Sequence, residues 1–93
     1  MTYRLHFIDP AEKEWRKLGA TVREQFKKKL RERLETPRVA ADALSGLPDH
    51  YKIKIRSAGY RLVYRVADDI LTVTVVAVGK RERGEVYDAA RSR

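Results

Sequence analysis

Charged and apolar residues alternate with a period of two over residues 50–66, the pattern of a strand with one buried and one exposed face. The alternation is interrupted at residues 57–60, where Ser, Ala, Gly and Tyr follow one another. Two alternating runs separated by a short segment that contains glycine predict a β-hairpin. The cations that fall on one face of this hairpin are Lys52, Lys54, Arg56, Arg61 and Arg65.

A register for the hairpin follows if the apolar residues of both strands share a face. The predicted cross-strand partners are Arg56 with Arg61, Lys54 with Val63, and Lys52 with Arg65. Like charges directly opposite each other destabilise a sheet by about 0.2 to 1 kcal/mol per pair. Because stability alone does not favour such an arrangement, we interpret the cationic face as a phosphate-binding surface rather than a plain solvated one.

The segment before the hairpin predicts one strand and two helices. Residues 2–8 carry apolar side chains at odd positions, which predicts a strand. Asp9 and Pro10 are typical of a helix start, and Gly19 is typical of a helix end. Trp15 falls on the apolar side of this helix, so we expect it to anchor the core rather than to stack on a base.

A second helix is predicted from Thr21, which forms a capping box with Glu24, to Thr36 before Pro37. Its apolar stripe consists of Val22, Phe26, Leu30 and Leu34. Its remaining surface is strongly basic and is either a solvated face or a secondary nucleic-acid contact; the cations are Arg23, Lys27, Lys28, Lys29, Arg31 and Arg33. Residues 37–49 predict a loop with a short helical turn at 40–44.

After the hairpin, Asp68 and Asp69 predict a tight turn, and residues 70–78 predict a third strand of the meander. This strand is apolar on both sides, so we expect it to be central, with Ala77 on the same core face as Val73 and Val75. The last segment predicts a weak helix in which Gly84 is a flaw. The order β-α-α-β-β-β-α predicts a single α+β domain, residues 1–93, with two N-terminal helices packed on one face of a mostly antiparallel sheet.

Charge and composition narrow the function. Lys and Arg number 21 against 13 Asp and Glu, so the net charge of +8 favours an anionic partner such as nucleic acid or an acidic protein. The chain has no cysteine and only two histidines, His6 and His50, so we expect no metal and no cofactor. No apolar run approaches the roughly 20 residues of a membrane span, and we expect a soluble cytoplasmic protein.

Serine-hydrolase, zinc-protease and P-loop motifs are absent from the sequence. A lysine surrounded by cations has a depressed pKa, because its protonated form is disfavoured, so Lys52 or Lys54 is a candidate general base. Together with neighbouring guanidiniums, such a base meets the needs of RNA cleavage through the ribose 2′-hydroxyl. A His/Glu acid-base pair is lacking unless His50 converges with Glu82 or Glu85, so a partner is expected to position the RNA.

The chain resembles the RelE family of bacterial toxin-antitoxin systems, which are ribosome-dependent mRNA endonucleases. The resemblance covers nearly the whole length. The motifs that carry it are Lys-Glu-Trp-Arg-Lys-Leu-Gly at 13–19, Thr-Val-Arg-Glu-Gln at 21–25, Tyr-Lys-Ile-Lys at 51–54, Gly-Tyr-Arg-Leu-Val-Tyr at 59–64, and Val-Gly-Lys-Arg-Glu-Arg with Glu-Val-Tyr within 78–87. The resemblance implies a RelE/ParE-like fold related to microbial ribonucleases.

The resemblance also implies roles for five residues. Lys52 and Lys54 would act as base and phosphate ligands, with Lys54 the preferred base, and Arg61 would stabilise the transition-state phosphate. Arg81 would stand near the leaving 5′-oxygen, either as an acid or, because a guanidinium is a very weak acid, preferably as a stabiliser of the developing charge. Tyr87 would stack on the base beside the cut. Further RNA contacts are expected from Arg56, Arg65, Lys27, Lys28 and Arg31.

The implied partners are the ribosome with its rRNA, the mRNA, and an acidic RelB-type antitoxin that neutralises the toxin. Operator DNA would be contacted only indirectly, through the toxin-antitoxin complex that represses their operon. No membrane partner is implied. The alternative from another class is a non-enzymatic protein, either a ParE-like gyrase inhibitor or a basic RNA-binding module.

Overall fold

Four strands form one mixed sheet in the computed structural model, which describes residues 2–93. The strands are β1 (Arg4–Phe7), β2 (His50–Ile55), β3 (Tyr60–Ala67) and β4 (Thr72–Lys80). Their spatial order is β1-β4-β3-β2, with β1 parallel to β4 and the other pairs antiparallel. The predicted order of elements, the mostly antiparallel sheet and the central position of the last strand are therefore confirmed.

Three helices cover the two faces of the sheet. The helices are α1 (Asp9–Arg16), α2 (Ala20–Glu35) and α3 (Glu85–Ser92). α1 and α2 pack on one face, as predicted, because the stripe that includes Phe26 and Leu30 is buried against the strands. Trp15 belongs to this core, with its ring centroid 5.2 Å from that of Phe7 and 6.2 Å from that of Phe26. No described helix within residues 2–93 is both long and apolar enough to cross a membrane.

The predicted side-chain caps of the first two helices are wrong, although the helices themselves are confirmed. Ile8 precedes α1 and Gly19 precedes α2, both in extended backbone conformation and neither with a side-chain capping bond. Asp9 and Thr21 already lie inside their helices, so their side chains cannot act from the capping position. α2 ends at Glu35 and Thr36 is its C-cap, in agreement with the helix end predicted at Thr36 before Pro37.

The predicted hairpin register is wrong by two residues. Lys54 pairs with Arg61, Lys52 with Val63, and His50 with Arg65. The reason lies in the connection, where residues 56–58 form a 3-10 turn and Gly59 follows with φ of 69°, a conformation that glycine adopts without steric cost. Arg56 thus belongs to the turn and not to the ladder. A two-residue shift keeps every side chain on its predicted face, so the cationic face survives with different neighbours.

The predicted core facing of Val73 and Val75 is confirmed, but a bulge in the sheet overturns the predicted facing of β4 beyond Val75. The register between β3 and β4 shifts between Val63 and Tyr64, which pair with Ala77 and Val75. Beyond the bulge the alternation along β4 is inverted, so Ala77 joins Val63 on the side of α3 rather than the core face of Val75. The strand also begins later than predicted, at Thr72, which leaves Ile70 in the turn and 63% exposed.

Gly84 is the starting point of α3 rather than a flaw within it. Its φ of 70° places it in the left-handed region at the N-cap position, directly after Arg83 with φ of 54°. These two residues reverse the chain after β4, so that α3 returns across the sheet. Val86 and Ala90 of α3 then bury a second, smaller apolar cluster on the face opposite α1 and α2.

Candidate functional site

An open cavity of about 530 Å³ lies on the α3 side of the sheet. Its lining combines four parts of the chain: the loop before β2, the β2–β3 hairpin, the segment after β4, and α3. The lining residues are Leu44, Lys52, Lys54, Arg56, Arg61, Arg81, Tyr87 and Arg91. This set includes six cations and no carboxylate, so the cavity is built to bind an anion.

Lys54 and Arg61 form the floor of the cavity as direct cross-strand partners. Arg61 is only 8% exposed, and its guanidinium Nη1 donates to the carbonyl oxygen of Tyr60 at 2.9 Å. On the far side of Arg61, β4 places Gly79 in register. Because glycine has no side chain, β4 places no side chain beside Arg61 on this face of the sheet.

Arg81 and Tyr87 reach the cavity from the end of the chain. The backbone N–H of Arg81 donates to the Gly59 carbonyl at 2.9 Å, which holds the segment after β4 against the hairpin turn. Tyr87 lies on the first turn of α3, half-buried, with part of its ring against the smaller apolar cluster. The aromatic ring therefore lines the cavity from a helix that is itself anchored to the sheet.

The cations around Lys54 change its chemistry. The positive charge of Lys52 lowers the pKa of Lys54, with further lowering by partial burial and by the charges of Arg56 and Arg61, while the Asp42 carboxylate works in the opposite direction. The direction agrees with the sequence-based expectation for a lysine among cations. A lysine with a lowered pKa holds a larger neutral fraction and is a better proton acceptor.

Arg33 supports the strand that carries the two lysines. Its guanidinium bonds Asp42 at 2.6 Å, the Tyr64 hydroxyl at 2.9 Å and the Lys52 carbonyl at 3.2 Å. The sequence placed Arg33 among the cations of a basic helix surface, and this interpretation is wrong for Arg33. The half-buried guanidinium points inward because three acceptors converge on it, so it ties α2 to β2 and β3.

The other predicted RNA contacts are spread over the surface. Arg56 lies at the rim of the cavity, whereas Arg65 lies opposite His50 and lines a different cavity. The helix cations Lys27, Lys28 and Arg31 are exposed on α2, which packs on the opposite face of the sheet.

His50 does not form the acid-base pair considered for it. Its Nδ1 lies 2.7 Å from the Pro48 carbonyl, and neither Glu82 nor Glu85 lines a cavity with it. The part of the chain that the structure describes contains no cluster of His, Cys, Asp or Glu that could hold a metal ion.

Sequence reasoning missed Arg91 and Leu44 in the lining of the cavity. Arg91 follows Tyr87 by four residues, the spacing that places two side chains on one face of a helix. The helix predicted for the last segment therefore allowed Arg91 to be placed beside Tyr87. Leu44 comes from an irregular loop, and no periodicity could have placed it there.

Comparisons with known proteins show what the chain is similar to. A family model described as the ParE toxin of the type II toxin-antitoxin system parDE matches residues 5–84. The mRNA interferase toxin RelE of Escherichia coli K12 is 62% identical over 93 residues, which cover 100% of this chain and 98% of that protein.

Solved structures of E. coli RelE are also similar to this chain. The free E. coli toxin RelE carrying R81A and R83A superposes with a TM-score of 0.93 at 60% identity, covering 100% of this chain and 98% of that one. RelE in the intact E. coli RelBE toxin-antitoxin complex superposes with a TM-score of 0.84 at 63% identity, covering 87% and 99% of the two chains.

Proposed function

This chain belongs to the RelE/ParE family of toxins from type II toxin-antitoxin systems, and we propose that it is an mRNA endonuclease that cleaves message in the ribosomal A site and so inhibits translation. The observation that carries the proposal is the convergence of Lys52, Lys54, Arg61, Arg81 and Tyr87 on one cavity. These residues come from a hairpin and from the far end of the chain. Their meeting in one lining that contains no carboxylate favours a polyanionic ligand over a plain solvated surface.

Lys54 acts as the general base in the proposed reaction. In its neutral form it accepts the proton of a ribose 2′-hydroxyl, and the 2′-oxygen then attacks the adjacent phosphorus. The bond from phosphorus to the 5′-oxygen breaks, leaving a 2′,3′-cyclic phosphate on one fragment and a 5′-hydroxyl on the other once the 5′-oxygen has taken a proton from solvent.

Lys52 and Arg61 stabilise the negative charge that builds on the phosphate oxygens in the transition state. Arg81, which lines the same cavity, stabilises the charge on the departing 5′-oxygen, because a guanidinium is too weak an acid to donate its proton there. Tyr87 stacks on the base next to the cut and holds the RNA in line for attack.

The ribosome completes the site in this proposal. The cavity contains no His/Glu acid-base pair, so much of the rate depends on how the RNA is held. The exposed cations of α2, with Lys27, Lys28 and Arg31 among them, suit contacts with rRNA from the opposite face of the sheet. Arg56 at the rim of the cavity contacts the message.

An antitoxin of the RelB type is the proposed protein partner. The E. coli relative has been crystallised in a toxin-antitoxin complex with RelB. A net charge of +8 favours rapid association with an acidic antitoxin segment. The complex, rather than the toxin alone, is proposed to bind operator DNA and repress the operon.

The test is cleavage of message on programmed ribosomes by the purified protein. Wild type is expected to cut, and Lys54→Ala and Arg81→Ala are expected to lose most of the rate. Lys13→Ala removes one exposed charge from α1 and serves as a matched control that keeps its activity. Intact message with wild type, or full cutting by both cavity variants, would refute the proposal.

A second candidate is a ParE-like gyrase inhibitor, which is favoured only by the name of the matching family model. A gyrase inhibitor has no need of the assembled lysines, arginines and tyrosine. DNA supercoiling assays separate the two: unimpaired gyrase in the presence of the protein removes this candidate.

A further inference from the structure

A second cavity of about 180 Å³ lies on the same face of the sheet, between the end of α3 and the strands. Its polar lining comes from β2, β3, β4 and α3, and the residues are His50, Arg65, Thr74, Arg91 and Arg93. Arg91 also lines the larger cavity. The cationic surface of the candidate site therefore continues past Arg91, and no carboxylate lines this second part.

Two guanidiniums in the second cavity are available to a ligand. Arg93 is committed to Glu14, with bonds of 2.8 and 3.1 Å between the two side chains. Arg91 has only a 3.4 Å contact with Asp88, both largely exposed, and such a pair is weak. Arg65 is exposed and makes no side-chain hydrogen bond or ion pair within residues 2–93.

The spacing along the sheet fits a single RNA strand. The pair formed by His50 and Arg65 lies four residues along β2 from the pair formed by Lys54 and Arg61. With a rise of about 3.4 Å per residue, the two pairs are about 14 Å apart on the same face. A strand of RNA that holds its scissile phosphate at Lys54 carries further phosphates along the same surface.

We propose that the cavity bounded by His50, Arg65 and Arg91 is a second phosphate subsite, which binds a phosphate of the same RNA strand to one side of the cleavage position. A volume near 180 Å³ equals about six water molecules at roughly 30 Å³ each, room enough for a phosphate group. Guanidinium forks match phosphate oxygens in geometry as well as charge. The histidine Nδ1 donates to the Pro48 carbonyl, so Nε2 is the acceptor of that tautomer, and the donors to a phosphate are the guanidiniums of Arg65 and Arg91. The subsite rests on the proposed function for its ligand.

Binding of the full-length protein to a short fluorescent single-stranded RNA tests the subsite without relying on cleavage. Arg65→Ala is expected to weaken binding at least about tenfold, as for the loss of a hydrogen bond to a charged group. The slope of log affinity against log salt is expected to fall by about 0.7, the value of one phosphate of a single strand. Arg4→Ala on β1, at the far edge of the sheet, removes the same charge as a matched control and leaves both quantities unchanged.

Cleavage of synthetic message on programmed ribosomes locates the phosphate. Single neutral methylphosphonates are placed at successive positions beside the cut. A methylphosphonate at the phosphate that the subsite binds is expected to slow cleavage by wild type. The same replacement is expected to cause no further loss of rate in Arg65→Ala, because this variant has already lost the contact. Equal losses for Arg65→Ala and Arg4→Ala, or the same methylphosphonate penalties in wild type and Arg65→Ala, would overturn the subsite. If wild type binds RNA through Arg65 but leaves message intact, the endonuclease proposal fails and the subsite stands.

Discussion

Replacing Arg33 with methionine tests how the strand that carries the two lysines is held. Methionine keeps the apolar stem of the side chain but loses the bonds to Asp42, Tyr64 and Lys52. The ion pair is mostly shielded from solvent, since the two side chains are 15% and 22% exposed. Tyr64 keeps its 2.7 Å bond to the Pro37 carbonyl, so its hydroxyl is not left without a partner.

The expected cost follows from these contacts. Breaking an exposed ion pair costs about 0 to 1 kcal/mol of stability, and breaking a buried one costs about 3 to 5 kcal/mol. The pair of Arg33 and Asp42 is half-buried, so we expect its loss to cost about 2 kcal/mol. The two bonds to neutral acceptors add about 1 kcal/mol together, because water replaces part of each. We expect Arg33→Met to lower the free energy of unfolding by about 3 kcal/mol and Tm by about 12 to 24 °C in a domain of this size.

Urea unfolding followed by the fluorescence of Trp15 measures this cost, since its ring packs between Phe7 and Phe26 and becomes exposed when the core opens. A double-mutant cycle of Arg33→Met and Asp42→Asn isolates the ion pair, with an expected coupling of about 1 to 3 kcal/mol.

The exposed pair between Lys27 and Glu24 on the same helix serves as the control for the cycle, with an expected coupling of about 0.3 to 0.5 kcal/mol. A loss below about 1 kcal/mol for Arg33→Met, or a coupling no larger than that of the control pair, would refute the reasoning.

Three further predictions concern the base, the start of α3 and the end of the chain. The rate of cleavage is expected to rise with pH as Lys54 loses its proton, and Asp42→Asn, which removes the charge that raises the pKa of Lys54, shifts this rise to lower pH; a shift to higher pH contradicts Lys54 as the base. Gly84→Ala is expected to lower the free energy of unfolding in urea by about 1 to 2 kcal/mol, because its φ of 70° is unfavourable for alanine; the added methyl group meets no atom, so a clash does not contribute. Gly19→Ala, with ordinary φ and equally open space, is expected to cost little. Equal effects of the two substitutions would count against the left-handed turn. Arg93→Ala is expected to speed hydrogen exchange throughout α3, because it removes the ion pair that ties the end of the chain to α1; unchanged exchange in α3 would show that the apolar contacts alone hold the helix.

The sequence predicted which faces of the hairpin are cationic and apolar, because a period of two depends only on local backbone geometry. It could not predict the register, since a shift of two residues leaves every face unchanged. Only the 3-10 turn and the left-handed Gly59 decide that Lys54 stands opposite Arg61. The same limit applies to Ala77, whose side of the sheet is reversed by a bulge that alternation cannot reveal.

The amino-acid sequence by itself determined the order of the elements, the α+β fold class, the apolar stripe of α2 and the excess of positive charge. Each of these depends on residue types and their spacing along the chain. Tertiary structure alone decided that Arg33 faces inward, that Arg65 lies apart from the larger cavity, and that Leu44 lines it. Those positions depend on where distant segments meet: two left-handed residues after β4 turn α3 back across the sheet, and the contacts that result have no signature in any one segment of the sequence.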